Sequence, residues 1–205
     1  VEERPMKSVW ISVDVEADGP VPGLHSMTEL GAVVVEPSVL DAPRRVRAFY
    51  ARLTRLPNAT VVPAHESKRH ARPPLMLPAG SELTSELTVA QTGFVETTLA
   101  SPTEAMTVFE VWLTALGARP MFVSDNNGFD WMFVCWYFHR FLGRCPFGWS
   151  STNLGSLYKG AAKDCYASFK ALRQTPHTHH PVADALGNAE AMVTMARTFG
   201  IKGVI

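Results

Sequence analysis

Apolar and polar positions alternate early in the chain. Residues 8–16, SVWISVDVE, are rich in β-branched side chains and predict a strand. Its alternation sets Trp10, Ser12, Asp14 and Glu16 on one face and Val9, Ile11, Val13 and Val15 on the other. Residues 29–36 (ELGAVVVE) and 44–53 (RRVRAFYARL) read as second and third strands. From about residue 55 to 100 no period is sustained. Five prolines fall between Pro57 and Pro78, and Ser and Thr are frequent, which predicts an insertion made mostly of loop. At Ser101 the run S-P-T-E supplies a hydroxyl N-cap, a proline at N1 and a glutamate at N3. Met106, Phe109, Trp112, Leu113 and Leu116 follow at helical spacing, and Gly117 suits the stop. PMFVSD is then a short strand, 128–142 a second helix and 181–199 a third. The third carries an apolar stripe from Val182 to Phe199. The order β-β-β-α-β-α-α predicts an α/β domain with a mixed central sheet.

Composition narrows the class. Of 205 residues, 46% are apolar and 19% charged, with 19 basic against 19 acidic. That excludes a disordered chain, and no apolar run is long enough to span a membrane. The length predicts a single domain over 1–205, with 55–100 inserted in it. Zero net charge argues against a basic tail gripping long nucleic acid, but it leaves room for a nuclease whose charge is focused in one cleft. Within the insertion, charge is polarised: basic residues gather over 41–73, whereas 80–111 holds glutamates and no Lys or Arg. The cysteines Cys135, Cys145 and Cys165 form no CxxC pair, so reduced thiols in a cytoplasmic protein are expected. The segment VEERPMK has no apolar stretch, so no signal peptide is expected. Between Phe129 and Leu142, 11 of 14 residues are apolar and seven are aromatic. Such a helix must be covered on every side, and the excess predicts a homodimer.

Candidate chemistry begins at Asp14 and Glu16. Carboxylates at i and i+2 of a strand point the same way, ~6–7 Å apart. On an apolar strand they repel and lose hydration, and a divalent cation such as Mg²⁺ or Mn²⁺ removes both penalties. Equally, the strand could stop at Val13 and leave both acids solvated. Asp130 opens the aromatic helix, where with Asn127 as N-cap it also reads as the N3 acid of a capping box. Asp184 opens the last helix behind Pro181. His179 precedes it by five residues, a rotation of ~140° on a helix, so it belongs to the entering loop, in position for a mobile general base. His177 and His180 complete a polar loop. Lys159, Lys163, Lys170 and Arg173, interleaved with Tyr158, Tyr166 and Phe169, form either a solvated face or a path for a single strand.

In order, D-x-E (VDVEADG, then TELGAVVV), F-D (SDNNGFDWMF) and H-x-x-x-x-D (HHPVADALGNAEAM) resemble the DEDD exonucleases of the histidine subtype. That family includes ribonuclease T, oligoribonuclease and the polymerase proofreading subunit. The resemblance spans the chain except roughly residues 55 to 100. It implies a ribonuclease H-like fold and 3′→5′ removal of nucleoside 5′-monophosphates. It also implies two Mg²⁺ (or Mn²⁺) ions about 3.5–4 Å apart, with Asp14 bridging, Glu16 and Asp184 on the water side, Asp130 on the other ion and His179 as base. Phe129 and Met27 are candidates to wedge or stack the terminal base, and both fit ordinary core packing at least as well. Ala17 stands where the family often has Thr or Ser, and Asp18 adds a negative charge near the terminal phosphate. Expected partners are 3′ ends of single-stranded RNA, with DNA as the alternative. Two rivals remain: a catalytically dead nucleic-acid-binding module of this fold, and an HHxxxD acyltransferase with His180 as base. The second gives Asp14 and Glu16 no task.

Overall fold

The computed structural model describes residues 7–41, 46–64, 75, 82–83, 88–91, 94–97 and 99–205. In chain order the elements are β1 (Ser8–Ala17), β2 (Met27–Val34), β3 (Arg47–Leu53), β4 (Glu82–Leu83), β5 (Thr88–Gln91), β6 (Phe94–Thr97), β7 (Leu99–Ala100), α1 (Pro102–Ala115), β8 (Arg119–Ser124), α2 (Asn127–Leu142), β9 (Ser151–Asn153), α3 (Leu154–Ala162) and α4 (Pro181–Phe199). The main sheet runs β4-β3-β2-β1-β8-β9, with β7 also on β3. β1, β2 and β3 are antiparallel neighbours, while β8 lies parallel to β1 and β9 parallel to β8. This is the mixed sheet the periodicity predicts, in a ribonuclease H-like α/β arrangement.

The region read as loop contributes more strand than expected. β4 and β7 both lie along the free edge of β3, and β5–β6 is an antiparallel hairpin. The basic residues Lys68, Arg69 and Arg72 fall outside the described residues. β9 and α3 were not expected, because three and nine residues are too few to show a period. A side-chain cap marks α3: Asn153 accepts from the Ser156 N–H at 2.6 Å.

The two faces of β1 separate as its alternation requires. Ile11, Val13 and Val15 pack with Phe49, Phe109, Phe133 and Phe138 beneath α1 and α2. Trp10 joins the opposite core, under α4. Ring contacts such as Phe49–Phe109 at 4.7 Å and Phe109–Phe138 at 5.6 Å knit the first core. A fully buried Phe stabilises by about 1.5–3 kcal/mol, so the sheet can carry buried acids at its other end. Much of the apolar surface of α2 is covered by the chain itself. Trp131 meets Phe122 and Phe147, and Trp136 lies over Gly23.

Candidate active site

Asp14 and Glu16 stand near the end of β1 on the face turned to α4. The register breaks between Glu16 and Ala17. Opposite Asp14 on β2 is Gly31, and a Cβ there would lie 2.3 Å from the Pro181 carbonyl carbon and 2.4 Å from the Val182 nitrogen. Only glycine lets the first turn of α4 seat directly on the sheet. That contact brings Asp184 to Asp14: one oxygen each from Asp14, Glu16 and Asp184 lie within 4.8 Å of one another.

Asp130 arrives from the other side. The N-cap of α2 is Asn126, which makes no side-chain cap, so the capping-box reading with Asn127 does not hold. The Asp130 carboxylate turns to β1, where Oδ1 accepts from the Val15 N–H at 3.2 Å and Oδ2 is buried without a partner. Burial pushes Asp130 up to about 8, opposed by the Val15 hydrogen bond and the nearby Ser124 hydroxyl and reinforced by the charges of Asp125 and Glu16. Burial raises Asp14 well above the carboxylate range, reinforced by Asp130, Asp184 and Glu16 and opposed by Arg173.

The loop before α4 is pinned to Asp184. Its Oδ1 accepts from the Thr178 N–H (2.9 Å) and Arg173 Nη2 (3.2 Å); its Oδ2 accepts from the His179 N–H (3.0 Å) and pairs with His177 Nδ1 (2.9 Å). His179 adopts a left-handed φ of 58° on that loop, as a loop residue rather than a helical one. Burial lowers the His177 pKa, with His179, Arg173 and Lys170 adding to it against the pull of Asp184. His180 does different work. Its Nδ1 accepts from the Val182 N–H at 3.3 Å and its ring lies 4.8 Å from that of Tyr50, so it shapes the helix entry. Six residues beyond Asp184 on α4, buried Glu190 accepts from the Gln174 and Thr175 N–H groups at 2.8 and 2.6 Å.

The residues expected around substrate divide. Phe129 is half-buried beside Phe133, and Lys159 is exposed in the last turn of α3. Met27 is fully buried in the core under α1 and α2, so its side chain cannot stack a base as placed. Ala17 is likewise buried, at 2% exposure, and offers no side-chain contact. Arg173 does not follow a strand: its side chain is 5% exposed and is paired with Asp184. It fits because Gly187 has no side chain, a Cβ there coming 2.4 Å from Arg173 Nε. Asp18 presents no charge to a phosphate, since it is buried and paired with Arg55 (Nε–Oδ2 2.8 Å, Nη2–Oδ1 3.3 Å). Lys170 pairs with Asp125. Beyond the residues expected, the structure adds Gly31, Gly187, Glu190 and Glu29. Glu29 is a buried acid paired in register with Glu16, and it accepts from the Tyr50 hydroxyl at 2.6 Å.

Three converging carboxylates, a fourth with a buried oxygen that accepts no hydrogen bond, and two acids whose pKa burial raises fit a divalent cation. Oxygen ligands suit the hard ions Mg²⁺ and Mn²⁺. No family model matches the chain. It is 29% identical over 193 residues to the 3′-5′ DNA exonuclease Cap18 of Escherichia coli, covering 92% of this chain and 87% of that one. Its fold is similar to the nuclease domain of 3′hExo, a DEDDh family member solved with rAMP (TM-score 0.61, 11% identity, 96% of this chain and 94% of that). It is also similar to E. coli exonuclease I, solved with single-stranded DNA and zinc (TM-score 0.58, 14% identity, 94% of this chain). The chain spans 41% of the length of exonuclease I. With four acids gathered at the end of β1, the chain is similar in sequence to a 3′-5′ DNA exonuclease and in fold to nucleases that include a DEDDh family member.

Proposed function

We propose that the chain, acting as one domain, removes nucleoside 5′-monophosphates from 3′ ends of single-stranded DNA. The observation that carries the chemistry is the convergence of Asp14, Glu16 and Asp184 oxygens within 4.8 Å, beside the orphaned Asp130 Oδ2. Asp14 would be shared between two Mg²⁺ or Mn²⁺ ions, with Glu16 and Asp184 on one and Asp130 on the other. When bound, these ions supply positive charge at the scissile phosphate and a more acidic water.

The side chains do the rest. His179 takes the proton from the attacking water at an imidazole nitrogen and passes it to solvent. The Asp184 carboxylate accepts from the His179 N–H, so the acid that orients the site also holds the loop that carries the base. Desolvation disfavours the charged forms of Asp14 and Asp130, a penalty that bound cations would offset. Phe129 would stack the terminal base, and exposed Lys159 would meet the trailing backbone.

DNA is favoured because the relative Cap18 is a DNA exonuclease and exonuclease I was solved with single-stranded DNA. RNA is the second reading, and the 3′hExo nuclease domain solved with rAMP favours it. Labelled DNA and RNA oligomers of several lengths, incubated with Mg²⁺ or Mn²⁺, separate the two. Faster shortening of DNA from its 3′ end supports the proposal, and equal or faster loss of RNA overturns the DNA preference. The free cysteines suit the reducing cytoplasm expected for the chain. Any homodimer through α2 would use what the chain leaves uncovered, such as Met132, 36% exposed. Light scattering at micromolar concentration reads its mass.

A further inference from the structure

The proposed hydrolysis assigns no task to His177, whose ring faces the carboxylate that also holds the loop of the base. Its Nδ1 is 2.9 Å from Asp184 Oδ2, and its ring centroid is 4.4 Å from that of His179, at 72° between planes. One ligand atom each from His177, His179 and Asp184 lie within 4.8 Å of one another. The set is built rather than incidental. The N–H groups of Thr178 and His179 fix the loop to Asp184, and Arg173 holds the opposite oxygen, Oδ1. The side chain of His177 is 50% exposed, so an ion can enter from solvent.

We propose that His177, His179 and Asp184 form a second metal site, one that takes zinc-class ions and switches hydrolysis off. Two imidazole nitrogens and one carboxylate oxygen suit Zn²⁺, at bond lengths of about 2.0–2.2 Å, and suit Mg²⁺ poorly. An ion between His177 Nδ1 and Asp184 Oδ2 replaces the present contact with a small widening. The site shares only Asp184 with the all-oxygen set of Asp14, Glu16 and Asp130. Its occupancy removes two groups from hydrolysis at once: the lone pair with which His179 accepts a proton, and an oxygen of Asp184. The inhibitory consequence rests on the exonuclease reading, whereas the site itself does not.

The test is zinc chloride titrated into the full chain against a chromophoric chelator, without Mg²⁺ or nucleic acid. Wild type and Asp14→Asn should each bind a zinc at this site, beyond any taken up by the acid set, and His177→Ala should bind that zinc about tenfold to a hundredfold more weakly. X-ray absorption on the wild-type zinc protein should show two imidazole ligands. With Mg²⁺ and a labelled oligonucleotide, zinc at site-filling concentration should stop wild-type hydrolysis and spare His177→Ala. Equal zinc affinity in His177→Ala, loss of binding in Asp14→Asn, or an oxygen-only absorption spectrum overturns the site. Wild-type hydrolysis unmoved by bound zinc overturns its inhibitory role. A chain without exonuclease activity that still binds zinc through both imidazoles overturns the functional reading and leaves the site standing.

Discussion

His179 and His180 are neighbours in sequence and opposites in task. His180 is buried as the cap of α4, its Nδ1 taken by the Val182 N–H. His179 lies in the pinned loop beside Asp184. His179→Ala is expected to lower turnover by ~10²–10⁴ while oligonucleotide binding persists, because a base is lost and no ligand of the acid set. His180→Ala should keep turnover within about an order of magnitude and lose ~1 kcal/mol of stability, the usual worth of a cap. Initial rates and melting curves of both variants check this, and a silent His179→Ala removes it as the base. The five-residue spacing to Asp184 made His179 legible in the sequence. Arg173 was not legible. In the sequence it is one basic residue of a run, and only the gap at Gly187, on the facing helix, lets its guanidinium reach Asp184. Met27 settles in the core, the alternative its sequence context left open, since no local pattern says which surface a methionine will join.

Among the elements, strands and helices with a sustained period were legible: β1 to β3, α1, β8, α2 and α4. Elements defined by what they pack against were not. β9 is held by pairing with β8, and β4 and β7 by the edge of β3. The junction of β2 with α4 is also tertiary. Gly31 reads as an ordinary strand glycine until Pro181 is seated on it. Gly31→Ala should force the helix off the sheet, because the obstructing atoms are backbone and cannot rotate away. The expected cost is about 1–3 kcal/mol of stability, with weaker metal binding as Asp184 withdraws from Asp14. Chemical denaturation and Mn²⁺ titration measure both. Unchanged metal affinity would mean that the junction does not set the site.

Across the whole molecule, the buried acids make stability depend on pH and metal together. Asp130 is raised from 3.8 to about 8, chiefly by burial. A carboxyl raised on folding favours the folded chain while it is protonated. That contribution is full below about pH 4 and is lost as pH climbs through about 8. In chelator, therefore, the melting temperature should fall as pH rises from about 5 to about 8. Mg²⁺ should restore it most at the upper end, where the acids must ionise. Asp130→Asn should flatten the chelator curve. A wild-type curve in EDTA as flat as that of the variant would contradict the burial argument.

The central claim is that the acids gathered at the end of β1 hydrolyse nucleic acid from its 3′ end. A 5′-labelled single-stranded oligonucleotide, incubated with Mg²⁺ and resolved at single-nucleotide spacing, tests it most directly. The account predicts a ladder shortening from the 3′ end, release of nucleoside 5′-monophosphates, and no shortening with EDTA or in Asp14→Asn. An intact oligonucleotide, internal cuts, or a ladder that persists in EDTA or in Asp14→Asn would contradict it.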